Sequence, residues 1–183
     1  MKKLIAIAAV VVATIAAQAQ GTINFANRGA FAANGADAKV LGVSGAALDG
    51  AGFLAQLYVG SSASSLNAVG SPVPFRTGAA AGFVSASTVT VAGIAGGSAA
   101  SVAMRAWDAS TGATYDAATV RGSSAVLSIV LGGGGNPPAV PADLTGLAGF
   151  SLAGAGPGPV IPEPSTVALG LLGAGALFLR RKK

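Results

Sequence analysis

The sequence predicts a mainly β protein: one antiparallel β-sandwich or jelly-roll-like domain between two short apolar segments. Three observations carry that expectation. Short runs alternate apolar and polar residues between positions 20 and 152, the period at which a strand half-buried on a sheet changes face. Clusters of Gly, Ser, Asn and Pro separate these runs, and such clusters make turns. The same stretch shows neither long helical periodicity nor charged pairs spaced for a helix face. Many short strands joined by Gly-rich turns point to an antiparallel sandwich or jelly roll. Helix is expected mainly at 4–17 and 166–179.

Residues 1–19 read MKKLIAIAAVVVATIAAQA. A basic start is followed by an apolar run and then by Ala17-Gln18-Ala19, the small-x-small pattern that signal peptidase cleaves. The run is short for a membrane span, which takes about 20 residues, so it predicts a removed secretory signal. The first strand is expected at 22–26 (TINFA). The run at 53–59 (FLAQLYV) places Phe53, Ala55, Leu57 and Val59 on one face and Leu54, Gln56 and Tyr58 on the other. Further strands are expected at 83–91 (FVSASTVTV), at 101–107 (SVAMRAW) with Val102, Met104 and Ala106 on one face, and at 125–131 (AVLSIVL). A short edge strand is expected at 150–152. Turns are expected at 59–62, 95–98, 110–112 and 132–138. No repeat period runs through the chain, so a solenoid is disfavoured. Residues 153–161 read as a Gly/Pro linker.

The last segment, 162–183, has three parts in order. Pro162, Glu163 and Pro164 form an extended tripeptide, because each proline fixes its own φ and biases its predecessor away from helix. Thr166 to Leu179 is an apolar run that partitions into a bilayer as a transmembrane segment. Arg180, Arg181, Lys182 and Lys183 form a basic end that stays cytoplasmic by the positive-inside rule. Together these residues resemble the PEP-CTERM sorting signal of Gram-negative bacteria. That resemblance implies an exosortase-like transpeptidase as a partner, with Pro-Glu-Pro as its recognition site, and removal of the tail. A plain C-terminal membrane anchor is the alternative. No Leu-Pro-x-Thr-Gly occurs, so a Gram-positive sortase is not indicated. The segments AQLYVG, PFRTGAAAGFV, VAMRAWDASTGATYDAA and the late NPPAVPADLTGLAGFSL also resemble, more loosely, a β-rich ectodomain of PEP-CTERM proteins from Verrucomicrobia and relatives. No defined activity comes with that resemblance.

Composition excludes several chemistries. The 183 residues contain no Cys and no His, which removes thiol nucleophiles, disulfides, Cys/His metal sites and the usual base for a serine nucleophile. The formal charge of +5 sits at the two ends. Between them, five basic residues face six acidic ones, leaving about −1. Such a balance offers no footprint for phosphate, so nucleic acid is not an expected partner. The run Gly132–Gly135 lacks the Gly-Lys-Ser/Thr ending of a phosphate loop and leads into Pro-Pro.

The densest polar constellation is Arg105 to Asp116. As a hairpin tip it would present Trp107 and Tyr115 to a sugar, with Asp108 and Asp116 accepting hydrogen bonds or binding calcium. The plainer reading pairs Trp107 with Tyr115 across a hairpin whose turn spans Ser110 to Gly112, with Gly112 supplying a positive φ and Asp108 capping the turn. Nothing in the spacing makes Asp108 and Asp116 a glycosidase pair. The expectation is therefore a protein that is not an enzyme and takes no cofactor or metal. It is an exported cell-surface or matrix structural protein, processed at Ala17, Ala19 and Pro162–Pro164, inserted at least transiently in the inner membrane, and associated with exopolysaccharide. A carbohydrate-binding module is the rival reading.

Overall fold

The computed structural model describes residues 20–29 and 37–154. The signal segment with Ala17 and Ala19, the motif Pro162–Pro164, the apolar run 166–179 and the basic end 180–183 lie outside the described residues. So do both expected helices. Among the described residues no helix is long and apolar enough to cross a membrane.

The described chain is mainly β, with eleven strands in open sheets and one 3-10 turn at Gly78–Ala80. The strands are β1 (Gln20–Phe25), β2 (Val40–Leu41), β3 (Phe53–Gly60), β4 (Asn67–Pro74), β5 (Ser87–Ala95), β6 (Ala99–Asp108), β7 (Val120–Ser123), β8 (Leu127–Val130), β9 (Ala142–Asp143), β10 (Phe150–Ser151) and β11 (Ala153–Gly154). The largest sheet has the order β11-β7-β6-β3-β4, with β8 also on β6. A second sheet has the order β5-β1-β9, and β10 with β2 makes a third.

Strand β6 is the axis of the large sheet. Along one side it pairs with all of β3, from Phe53↔Asp108 to Gly60↔Ser101. Its other side is shared end to end by β8, at residues 99–102, and β7, at residues 105–107. Ser124 fills the gap. The Met104 N–H donates to its Oγ at 3.0 Å, and its own N–H donates to the Met104 carbonyl at 2.9 Å. The ladder therefore stays satisfied where one strand hands over to the next.

Alternation sets the core. Ala55, Leu57 and Val59 of β3 join Ala100, Val102, Met104 and Ala106 of β6 in one buried cluster with Ile23 and Phe25 of β1 and Val91 of β5. Each fully buried Leu or Phe contributes about 1.5–3 kcal/mol by area removed from water. Val40 of β2, with Leu48, Phe75, Val84, Leu131 and Leu144 from the connections, closes the cluster.

Several expectations need correction. The pairing is not antiparallel throughout, because β1 with β9 and β10 with β2 are parallel. These are two-residue contacts made by the late chain as it returns to strands far away in sequence. The run at 83–91 becomes a strand only at Ser87. Phe83 and Val84 are buried ahead of it, Val84 bridging Phe75 and giving its N–H to the Asn27 side chain at 2.9 Å. Strand β4 carries Pro72 and Pro74, residues that a central strand excludes but an edge strand tolerates. Ala153 and Gly154, read as linker, pair with Arg121 and Val120 of β7.

Candidate functional site

The Arg105–Asp116 constellation lies on the outer face of the large sheet. Because Met104 and Ala106 point into the core, Arg105 and Trp107 point away from it. Register brings Leu54 opposite Trp107, Gln56 opposite Arg105 and Tyr58 opposite Ala103. From β7, Arg121 lies opposite Trp107 and Ser123 opposite Arg105. An aromatic and cationic patch is thus assembled from three strands.

After β6 the chain turns at Asp108. Its Oδ1 accepts the Ser110 N–H at 2.9 Å and the Ser110 hydroxyl at 2.6 Å, and its carbonyl accepts the Thr111 hydroxyl at 2.8 Å. The loop 109–119 is then held down by Arg121. Its Nη1 donates to the carbonyls of Tyr115, at 2.8 Å, and Asp116, at 2.9 Å, and lies 3.8 Å from the Asp116 carboxylate. At the loop's base the Val120 N–H donates to the Thr111 hydroxyl at 3.2 Å. Gly112 is required by close approach, since a Cβ there would lie 2.4 Å from the Ala118 nitrogen. It is not among the glycines with positive φ.

Tyr115 comes to rest on the strand residues. Its ring stands edge-on to Trp107 at 6.4 Å between centroids and tilted against Tyr58 at 5.8 Å. The Arg105 guanidinium lies 4.1 Å from the Tyr58 ring centre and 4.9 Å from that of Tyr115, and Arg121 lies 5.0 Å from Tyr115. Each such contact contributes about 0.5–2 kcal/mol, more as water is excluded. Arg105 Nε and Trp107 Nε1 are buried without a hydrogen-bond acceptor. For Arg105 the negative ring faces of Tyr58 and Tyr115 stand in for one. Burial raises the Tyr58 phenol above its ordinary value of 10.0; the Asp116 charge adds to this and Arg105 opposes it.

The four ligand-contact candidates therefore separate. Trp107 is 0 % exposed, so its face is not offered to solvent. Tyr115 is half-buried and sits in the loop, not on a strand; the expected cross-strand pair of Trp107 and Tyr115 is replaced by a loop residue folded onto a strand residue. Asp108 is engaged in its own turn. Asp116 is exposed beside Arg121 and, with Tyr115, Thr119, Ala153 and Gly154, lines a shallow groove. Tyr58 and Arg121 join this cluster beside the residues the constellation at 105–116 singles out. The alternation of β3 already placed Tyr58 on the outer face, but nothing local marks Arg121, whose role depends on where the loop returns. Among the described residues no group of three or more acidic residues is placed to hold a metal ion.

No curated protein and no solved structure matches this chain. Its residues 160–183 do match the PEP-CTERM protein-sorting motif, which indicates an exported surface protein sorted by an exosortase-like system.

Proposed function

We propose that the chain is a structural, non-enzymatic protein of the cell surface or extracellular matrix, of the type found in Verrucomicrobia, whose sandwich-like β domain associates with exopolysaccharide. The observation that carries this is the sorting motif at 160–183, close behind the last strand at Ala153–Gly154. Signal peptidase would act after Ala19, and the exosortase-like enzyme at Pro162-Glu163-Pro164 while the apolar run lies in the inner membrane. A structural role is further supported by how the polar residues of the outer patch are used. Arg121, Asp108 and the carbonyls of Tyr115 and Asp116 are spent on holding the loop.

Intact mass of the protein recovered from the cell envelope reports both cleavages at once. Glu163→Ala should leave a heavier precursor in the inner membrane. A Glu163→Ala protein that reaches the surface with wild-type mass and yield would reduce the tail to a plain anchor.

A carbohydrate-binding role has one observation in its favour. Half-buried Tyr115 lines a groove with exposed Asp116 and Arg121, a stacking surface beside an acceptor and a donor. On this reading Tyr115→Ala weakens co-sedimentation with isolated exopolysaccharide at least tenfold while the protein stays folded. Unchanged co-sedimentation would remove it.

A further inference from the structure

Strand β11 is the last described element, and it lies at the edge of the large sheet, antiparallel to β7. Ala153 stands opposite Arg121 and Gly154 opposite Val120. The next positions along the partner belong to the loop that runs into β7. Carried on in the same sense, the register takes Ala155 to Thr119, Pro157 to Ala117 and Pro159 to Tyr115. Those loop positions are the walls of a groove of about 480 Å³, lined by residues 115–119, by Arg121, and by Ala153 and Gly154. The groove therefore lies on the track along which β11 leaves the sheet.

The sequence after Gly154 reads AGPGPVI and leads into Pro162. In an extended chain successive N–H groups face opposite sides. Leu152 gives its N–H to the Leu41 carbonyl of β2 at 2.8 Å, so the odd positions after it face β7. Two of these, Pro157 and Pro159, have no N–H, and a ladder ends there. Such a segment binds by its rings instead. It takes the extended proline helix and packs on aromatic side chains in an open groove. Half-buried Tyr115 supplies that surface. Its ring is already fixed against Tyr58 and Trp107 and flanked by the Arg121 guanidinium 5.0 Å away, so docking has little left to order. Ala117 and Ala118 beside it are small and leave room for a second chain segment.

We propose that this groove is the seat of the chain's own segment 155–159, with Pro157 beside Ala117 and Pro159 on the Tyr115 ring. At about 3.1 Å per residue the five positions cover about 15 Å. Attachment at Gly154 makes the encounter intramolecular, so weak ring contacts suffice. Docking leaves only Val160 and Ile161 between the domain and Pro162, and the sorting motif is then held next to the folded domain. It also fills the groove that a sugar would need, and it holds whichever enzyme acts at the motif.

The chain has no cysteine, so an introduced pair reports one contact without background. In the full chain, Gly158→Cys is combined either with Ala117→Cys, in the groove, or with Ser123→Cys, on β7; Ala117 and Ser123 are both exposed. Each lies three residues from Val120, where Gly154 is anchored, but in opposite directions, so an undocked segment reaches both about equally. Disulfide closure within the monomer under mild oxidant should be about tenfold faster with Ala117→Cys, as the effective concentration of a docked segment requires. Equal rates, faster closure with Ser123→Cys, or disulfides formed between two chains would each overturn the proposal. Pro157→Ser with Pro159→Ser should abolish the preference for Ala117→Cys, and a preference that survives both changes refutes the proline seat. Tyr115→Ala should abolish it as well. If Tyr115→Ala weakens co-sedimentation with exopolysaccharide but leaves closure unchanged, the groove belongs to the sugar and not to the segment. If that variant does not fold, the proline variants decide, since they lie outside the described strands.

Discussion

At the residue scale, Asn27 is the side chain on which the most backbone depends. It is fully buried. Its Nδ2 donates to the carbonyls of Ala38 at 2.8 Å and Gly82 at 2.9 Å, and its Oδ1 accepts the Val84 N–H at 2.9 Å. The connection between β1 and β2 is thereby tied to the one leading into β5. An unsatisfied buried group costs about 1–3 kcal/mol, so Asn27→Ala should destabilise the domain by about 3 kcal/mol or more, measured by denaturant unfolding. Tyr58 makes a second prediction through pH. Burial holds its folded phenol above the ordinary 10.0, so the folded state keeps this proton when the unfolded chain has begun to lose it. The stability linked to Tyr58 is fully present below pH 10 and is lost as pH rises through the folded value. The unfolding midpoint should therefore fall above about pH 10, and Tyr58→Phe should flatten that fall.

At the element scale, the glycine-rich turns are sites of close backbone contact. A Cβ on Gly96 would lie 2.2 Å from the Gly134 nitrogen, and one on Gly134 would lie 2.5 Å from the Gly96 carbonyl carbon. The turn between β5 and β6 is thus pressed against the turn after β8. Gly96→Ala must move backbone, at a cost of about 1–3 kcal/mol, and should lower the thermal midpoint by several degrees. Gly52 is the control, with nothing within 4 Å of a Cβ and no positive φ. There an alanine restricts only the unfolded chain, so Gly52→Ala should be neutral or gain up to about 1 kcal/mol. Opposite outcomes from two exposed-looking glycines would show that contact, not turn conformation, explains the composition of these connections.

At the scale of the whole molecule, a neutral β domain is followed by a tail that carries the address. The described strands share one buried apolar cluster. On the proposed reading, Thr166 to Leu179 would supply the apolar partitioning, and Arg180 to Lys183 its direction. Replacing those four basic residues by Ser should disturb membrane orientation or retention, read by protease accessibility of the tail in spheroplasts. Glu163→Ala, in contrast, should leave orientation intact and stop processing. The two variants separate insertion from recognition.

The strongest strands were legible because alternation is local. Leu57 and Val59, or Val102 and Met104, show their face within a few residues, and the core is built on them. The sorting motif was legible for the same reason, as an ordered string of residues read by position. Strand β4 was hidden behind its prolines, which look like breakers until the structure shows that one side of the strand needs no partner. The outer patch was half legible. Arg105, Trp107 and Tyr115 stand close in sequence, but their contact depends on Arg121 capturing two carbonyls of the returning loop. The sequence by itself thus determined the β class, the inward face of the main strands and the tail. Only the tertiary structure decided which edges stay open, that Trp107 is covered, and that late residues pair in parallel with early strands. Each of those depends on free energy gained between segments far apart in the chain, which no local pattern encodes.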